Sequence, residues 1–456
     1  MKILILGDDG RAHALTWKLL NSPLYPEVVV APGNGGTAPL TLTADLEETD
    51  VPAVGRWAFD ELFDLIVPAG SRPLHGGLAE EVLSLQIGVC GASQRAAALE
   101  CSRCQAKEFM LRHRIPTAPG RAFTSLETAE RYLASQPLPV MIKADSPAGG
   151  EEWFTDRYAA LEGLRRIFTN RLDERAGEGV VVESYLPGPH VVLSALVDGS
   201  SAVPLLATRL YDRVEEGDAG AVAPGVGAHT GSSAFAQQLT RYLHEKFILP
   251  VMAGAAREGL PLWGLLGVDC IITPGGPRLT AIRFSMREGE AQVVLPRLED
   301  DLAPLLQAAI ARRLGELPAP RWTPTPTVGI GLFARGYPGY FPYGGAVGGL
   351  EEIDEGVLLF HSSTANPAAT LRYTPRTSYG GHGAGPAAAF GSMLGGLMGL
   401  GGHGGSSLHT TGGLVLTVVT QGVTLAGTRA RALVNADRVR FDGRAYRGDI
   451  GAKEFG

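Results

Sequence analysis

The chain is poor in cysteine, has no long uninterrupted apolar run and carries no excess of basic residues. Each shortage closes off a class of protein. Four cysteines in 456 residues, Cys90, Cys101, Cys104 and Cys270, are too few for a disulfide scaffold of this size. The tract 387–401 (AAAFGSMLGGLMGLG) is apolar, but it falls short of the roughly 20 residues a bilayer-spanning helix needs. A formal net charge of −7 counts against nucleic acid as a partner, because phosphate backbones call for a basic surface. No positively charged apolar leader precedes the first strand, so no secretory signal is expected. Cys101 and Cys104 form a C-x-x-C pair, but no second pair completes a metal set, and both read as incidental positions in a helix over 95–114. The expectation is a reduced, cytoplasmic protein that meets small molecules, not nucleic acid or membrane.

The length predicts several domains. Apolar strands at 1–7, 28–31, 64–68 and 87–91 alternate with amphipathic helices at 12–21 and 77–85. This pattern predicts an N-terminal parallel α/β sheet, residues 1–102, covered on both faces. Ligands of such sheets bind beyond the carboxyl ends of the strands, so the loops after Leu6, Ala31 and Val67 form the candidate site. Gly7 and Gly10 lack the first half of a G-x-G-x-x-G fingerprint. Turn glycines that let a phosphate approach a helix N-terminus fit better.

From 103 to 317 strands and helices are mixed, which predicts an α+β unit with a small lobe at about 121–186. Its long helix, 234–258, leads to a strand at 265–273, a turn at Gly275-Gly276-Pro277 and the stretch LTAIRFSMREGEAQ at 279–292. A hairpin that ends in charged residues suits carboxylates holding magnesium on a triphosphate. Here, however, the most exposed-looking charge on the strand is Arg283. Residues 318–326 (PAPRWTPTP) read as a stiff linker. The C-terminal unit, 327–456, has expected strands at 327–334, 356–361, 369–373, 413–420 and 438–441. A Gly-rich insertion, 378–407, interrupts it and reads either as a loop or, through 387–401, as a self-association segment.

Six motifs recur in a telling order: GDDGRAHAL (7–15), PGNGGT (32–37), RHRIPTA (112–118), VMIKAD (140–145), GYPG (336–339) and GDIG (448–451). In that order and near that spacing the chain resembles glycinamide ribonucleotide synthetase (phosphoribosylamine–glycine ligase), an ATP-grasp family of purine biosynthesis. The first two look like its G-N-G-G-R-E-H-A-L and P-G-N-A-G-T. The resemblance implies an N-terminal α/β domain, a two-lobed ATP-grasp core and a C-terminal mixed-sheet domain. It also implies a reaction in which ATP phosphorylates the glycine carboxylate and the phosphoribosylamine nitrogen attacks the acyl phosphate. Such chemistry is mainly electrostatic.

Carried over by position, the resemblance implies ATP as cofactor, held by Lys143, by Arg103 where the family has lysine, and by Glu183 beside the adenine. It implies substrate contacts from Gly10, Arg11, Gly33 and Asn34, and catalytic roles for Arg213 and Arg287. The departures are as informative. The family's G-L-A-A-G-K-G loop appears as SPAGGEE (146–152), with Glu151 in place of lysine and Pro147 removing a donor. Its D-H-K-R is Leu210-Tyr211-Asp212-Arg213, its G-P-N-T-G-G-M-G-A is GAVAPGVGA (220–228), and its P-E-x-P-L is AGSRPL (69–74). Its E-F-N-C-R is Arg283-Phe284-Ser285-Met286-Arg287, so both expected magnesium ligands are replaced. That counts against Mg²⁺, although Asp269, with Glu288 or Glu290, offers substitute metal ligands, and Arg283 could pair with a phosphate instead. The expectation is a synthetase reaction impaired or lost. The alternatives are an inactive regulator or scaffold that binds nucleotide or phosphosugar, and a ligase of changed specificity.

Overall fold

In a computed structural model of the chain, residues 1–146, 150–169, 179–366 and 408–454 are described. Strand β1 (Lys2–Gly7) buries Ile3, Leu4, Ile5 and Leu6 completely. It lies between β2 (Glu27–Pro32) and β4 (Leu65–Pro68), parallel to both, and β3 (Leu42–Thr43) and β5 (Gly88–Val89) complete the order 3-2-1-4-5. Successive side chains point to opposite faces. Leu4 and Leu6 therefore join one core while Ile3 and Ile5 join another, which is why the strand reads as a continuous apolar run. The expected helices are present as Gly10–Leu20 and Leu78–Ser84.

The small lobe is an antiparallel sheet of β6 (Gly120–Phe123), β7 (Val140–Ala144), β8 (Glu151–Phe154) and β9 (Val180–Ser184), in the order 6-9-7-8. The larger sheet begins with β10 (His190–Val197), β11 (Ala202–Pro204), β12 (Thr208–Glu215) and β13 (Ala219–Thr230). The hairpin β14 (Gly264–Thr273) and β15 (Gly276–Arg283) extends it on one side. On the other side it runs on into β16 (Thr327–Ala334) and β17 (Leu358–His361). After the short pair β18 (Thr364–Ala365) and β19 (His409–Thr410) come β20 (Leu414–Gln421) and β21 (Arg444–Ala445). The path is β15-β14-β10-β12-β13-β16-β20-β17, with β11 and β21 beside it. Pairing of β13 with β16 thus makes one sheet of what the sequence suggests as separate units. The proline-rich stretch is pinned, not free: Thr323 N donates to Arg297 O at 2.8 Å and Arg321 pairs with Asp300 at 2.7 Å.

Two expected elements are corrected. The helix over 95–114 is broken at Ser102, whose backbone is extended (φ −114°, ψ 110°). Its Oγ accepts from Gln105 N at 3.0 Å and donates to Asp145 Oδ1 at 2.7 Å, so a new helix, Arg103–Arg112, starts there. Cys101 and Cys104 therefore sit on different helices and are free thiols. The expected strand over 438–441 is not formed: a helix, Leu425–Arg438, ends at its first residue, with Thr428, Ala432 and Ala436 buried at four-residue spacing. Arg440 keeps only an isolated bridge to Gly348. The expected strand at 369–373 and the 387–401 tract lie outside the described residues. Among the described residues no helix is long and apolar enough to cross a membrane.

The first helix meets β17 through a histidine pair. His361 N donates to His13 Nδ1 at 2.9 Å, and Phe360 stands edge-on to the His13 ring at 5.5 Å. A Cβ on Gly36 would come within 2.3 Å of the His13 ring, so glycine is required there. Burial, with His361 alongside, pushes the His13 pKa down to about 3, and burial pushes His361 and His229 down to about 4. The unfolded chain takes up these protons below about pH 6.5, whereas the folded chain does not until far lower. Stability should therefore fall as pH drops from 6.5 towards 4, each histidine adding up to about 1.4 kcal/mol per pH unit. Urea unfolding of His13→Gln, which keeps an acceptor for His361 N, should show a slope shallower by about that amount. An unchanged slope would contradict the burial argument.

Candidate functional site

The first part of the site lies where the helix Arg103–Arg112 packs against the small-lobe strands. The helix Arg103–Arg112 presents Arg103 and, one turn on, Lys107, while β7 ends in Lys143 and the neighbouring β9 carries Glu183. Glu183 lies 2.7 Å from Lys107 Nζ through one oxygen and 2.9 Å from Lys143 Nζ through the other. All three side chains are buried. Burial depresses the Lys107 pKa against the pull of Glu183, while Lys143 is raised because Glu183 and Glu151 outweigh its burial. Arg103 donates to Gly150 O at 2.6 Å and lies 3.4 Å from Glu151, which is also 3.8 Å from Lys143. The acid that replaces the loop lysine is thus met by two cations. Residues 147–149 of that loop, Pro147 among them, lie outside the described residues. The structure brings Arg103, Lys143 and Glu183 together as expected, with Glu183 engaged by lysines. Lys107 was not anticipated, although its i+4 spacing from Arg103 was a readable signal.

The hairpin β14–β15 forms the second part, and here Arg283 requires a correction. It is not exposed: only 3% of its surface is accessible. Its Nε donates to Asp269 Oδ1 at 2.5 Å, one Nη donates to Ser285 O, and the other lies 3.4 Å from Glu290 Oε2. Gly267, directly opposite on β14, leaves the room, since a Cβ there would be 2.9 Å from the guanidinium. Arg287 donates through Nε (3.0 Å) and Nη2 to the other Asp269 oxygen, and its backbone N donates to Glu290 Oε2 at 2.8 Å. His190 completes the group, with Nδ1 bonded to Asp212 and Nε2 3.7 Å from Asp269. Burial opposes its protonation, but Asp212 outweighs it and holds its pKa at about 9. Asp269 stays ionised well below the usual carboxylate range, because Arg283 and Arg287 overcome its burial.

Three cations therefore meet three carboxylates, and the cluster neutralises itself. The residues do not fit a divalent metal. Magnesium demands a near-octahedral set of oxygens, whereas both Asp269 oxygens and Glu290 Oε2 already accept from guanidinium or amide N–H groups. Of the oxygens of Asp269 and Glu290, Glu290 Oε1 is left without a donor, as is Oε2 of the neighbouring Glu288. Among the described residues no group of three or more His, Cys, Asp or Glu could hold a metal.

The third part lies at the head of the helix Gly10–Leu20. Asp9 caps it, accepting from Arg11 N at 3.0 Å and Ala12 N at 3.2 Å. Arg11 also pairs with Asp9 at 2.5 Å and reaches Met286 O at 3.2 Å and Glu288 at 3.7 Å. Asn34 Nδ2 ties the loop to Asp8 O and His361 O at 2.9 and 2.8 Å, and Gly33 reaches its positive φ of +76° beside it. Gly10 packs so closely that a Cβ would meet Gln292 at 2.2 Å and Glu288 at 2.4 Å. Glu100 braces the seam by accepting from Phe284 N and Ser71 Oγ, both at 2.8 Å. Gly10 and Arg11 thus meet the segment that follows the hairpin, whereas Asn34 ties its loop to the N-terminal turn and β17. Arg213 does neither: it donates to Gly220 O at 2.7 Å on the β12–β13 hairpin. Asp9, Asp212, His190 and Glu100 were missed, since no local spacing marks them.

With this geometry in place, comparison with known proteins becomes specific. Family models for the phosphoribosylglycinamide synthetase N domain, ATP-grasp (A) domain and C domain match residues 1–100, 101–293 and 327–453. The chain belongs to the phosphoribosylglycinamide synthetase family. The phosphoribosylamine–glycine ligase of Phenylobacterium zucineum is 32% identical over the full length of both chains. That of Vibrio vulnificus is 29% identical over 99% of this chain and 98% of its own. Among solved structures, phosphoribosylamine–glycine ligase from Thermotoga maritima superposes with a TM-score of 0.76 at 23% identity, covering 99% of this chain and all of that one. The biotin carboxylase domain of Hydrogenobacter thermophilus 2-oxoglutarate carboxylase, solved with MgADP and bicarbonate, reaches 0.67 at 13% identity, covering 97% and 91%. Both likenesses support the ATP-grasp fold.

Asp269 is the test of the cluster. Asp269→Ala leaves two guanidinium groups in the site without their carboxylate and should cost about 3–5 kcal/mol in urea unfolding. A cost below about 1 kcal/mol would show that the pairing contributes no more than a surface ion pair does.

Proposed function

We propose that the protein binds ATP in the cleft between its lobes, and that the phosphoribosylamine–glycine ligase reaction of its family is impaired or lost in it. Descent supports the nucleotide, and so does the cation set. Arg103 and Lys143 are arranged to meet the phosphates, with Glu183 holding Lys143 and the buried Lys107 in place and standing beside the base. Arg287 is the one member of the hairpin cluster with a substantially exposed side chain, at 41%, and it faces the reacting groups. Gly10, Arg11, Gly33 and Asn34 form the floor of a second, small-molecule subsite. Arg213 takes no part. The free cysteines fit a reducing, cytoplasmic setting.

The observation that carries the reading is the self-neutralised cluster at Asp269. In the family's reaction negative charge develops on the transferred phosphoryl group, and a metal supplies compensating charge when it is bound. This chain places a buried, fully engaged guanidinium where a metal ligand is expected. Asp9 likewise fills the helix start that a substrate phosphate would use.

A second reading, a ligase of changed specificity, is favoured by one specific observation. Three charged replacements have partners: Glu151 has Arg103, Arg283 has Asp269 and Asp9 has Arg11. The test is ADP formation with Mg²⁺–ATP, glycine and phosphoribosylamine, together with complementation of a purine auxotroph that lacks the normal synthetase. The expected result is nucleotide binding, weakened about tenfold or more by Lys143→Ala, with no growth and no substrate-dependent ADP. Restored growth would overturn the loss of activity. ADP formation with another acid and amine would favour the second reading.

A further inference from the structure

We propose that the cleft takes its nucleotide free of divalent metal, with Arg283 as a built-in cation at the hairpin and Arg287 as the guanidinium that meets the phosphates. The inference rests on the nucleotide reading above and deepens it by naming the ionic form of the ligand.

Four observations carry it. First, the acidic oxygens that would draw a metal are consumed: Asp269 accepts from Arg283 on one oxygen and Arg287 on the other, and Glu290 Oε2 accepts from Arg287 N. Second, the place is built for the guanidinium. Gly267 clears the space for Arg283, and Ser285 O receives one of its N–H groups. Third, the charge balance leaves no net negative field to attract a dication, because Arg283, Arg287 and protonated His190 offset Asp269, Glu290 and Asp212. Fourth, the two arginines divide the work by exposure. The Arg283 side chain is 4% exposed and locked, whereas that of Arg287 is 41% exposed, close enough to Arg103 across the cleft for the two to repel. Arg103, Arg287 and Lys143 therefore present cations to a polyphosphate from both lobes, and a guanidinium binds phosphate oxygens without an intervening metal. A metal carried in on the nucleotide would find both Asp269 oxygens and Glu290 Oε2 already taken, in a group that holds three cations.

The test is calorimetric titration of the full-length protein with ATP, once in excess EDTA and once in excess Mg²⁺. The expected result is binding in EDTA that is equal to, or tighter than, binding in Mg²⁺. Arg287→Ala should weaken it about tenfold or more in EDTA. Because no variant is needed for the first comparison, misfolding cannot mask the answer. Binding that Mg²⁺ tightens by about tenfold or more would overturn the proposal while sparing the nucleotide reading. Loss of binding only in Lys143→Ala, with Arg287→Ala unaffected, would overturn the role given to Arg287. Absence of ATP binding in both buffers would overturn the nucleotide reading itself, and the proposal with it.

Discussion

A buried carboxylate cannot stand alone, and much of the site follows from how Asp269 is paired. At an effective dielectric near 20, two unit charges about 4 Å apart interact by about 4 kcal/mol. An unpaired ion in the same place would cost several kcal/mol to bury. Asp269 resolves this by holding one guanidinium on each oxygen. Arg283 in turn needs Gly267 for space, and Glu290 and Ser285 for its remaining N–H groups. Arg287 N donates to Glu290 Oε2 at 2.8 Å across the turn that carries Glu288 to Arg11 and Ser362. The seam between the N-terminal sheet, the large sheet and the C-terminal unit thus closes around one charge-balanced knot.

This knot changes how the departures from the family pattern are understood. Taken singly along the chain, Glu151, Leu210, Arg283 and Ser285 look like losses. In space, Glu151 faces Arg103 and Lys143, Arg283 faces Asp269, and Asp9 caps a helix while pairing with Arg11. Random loss of chemistry would leave stranded charges, and stranded buried charges destabilise a fold strongly. In the folded chain the charged replacements are met by internal ion pairs, and Lys107 and Lys143 are both held on Glu183.

Much of the fold was legible because hydrophobic periodicity reports burial directly. The apolar runs of β1, β2 and β4 and the hairpin at 264–283 needed no partner information. The misses have physical causes. Ser102 is a helix-capping residue inside a helical pattern, and its Asp145 partner lies 43 positions away. The helix Leu425–Arg438 buries small residues, so its apolar stripe is faint. Arg283 looked exposed because charge on a strand usually faces water. Its burial depends on Asp269, 14 positions earlier, and on a bulge beside Asp269 that resets the register. The pairing of His190 with Asp212 and Asp269 requires the strand order 14-10-12, which no local motif encodes. Lys107 alone could have been found from spacing.

The central claim is that Asp269 anchors arginines and holds no metal ion. A crystal of the protein grown with ADP and soaked in Mn²⁺, examined by anomalous diffraction, tests it most directly. The account predicts Arg283 and Arg287 on the two Asp269 oxygens and no anomalous peak within coordinating distance of Asp269 or Glu290. A manganese peak bound by Asp269, with Arg283 swung out of the cluster, would contradict it.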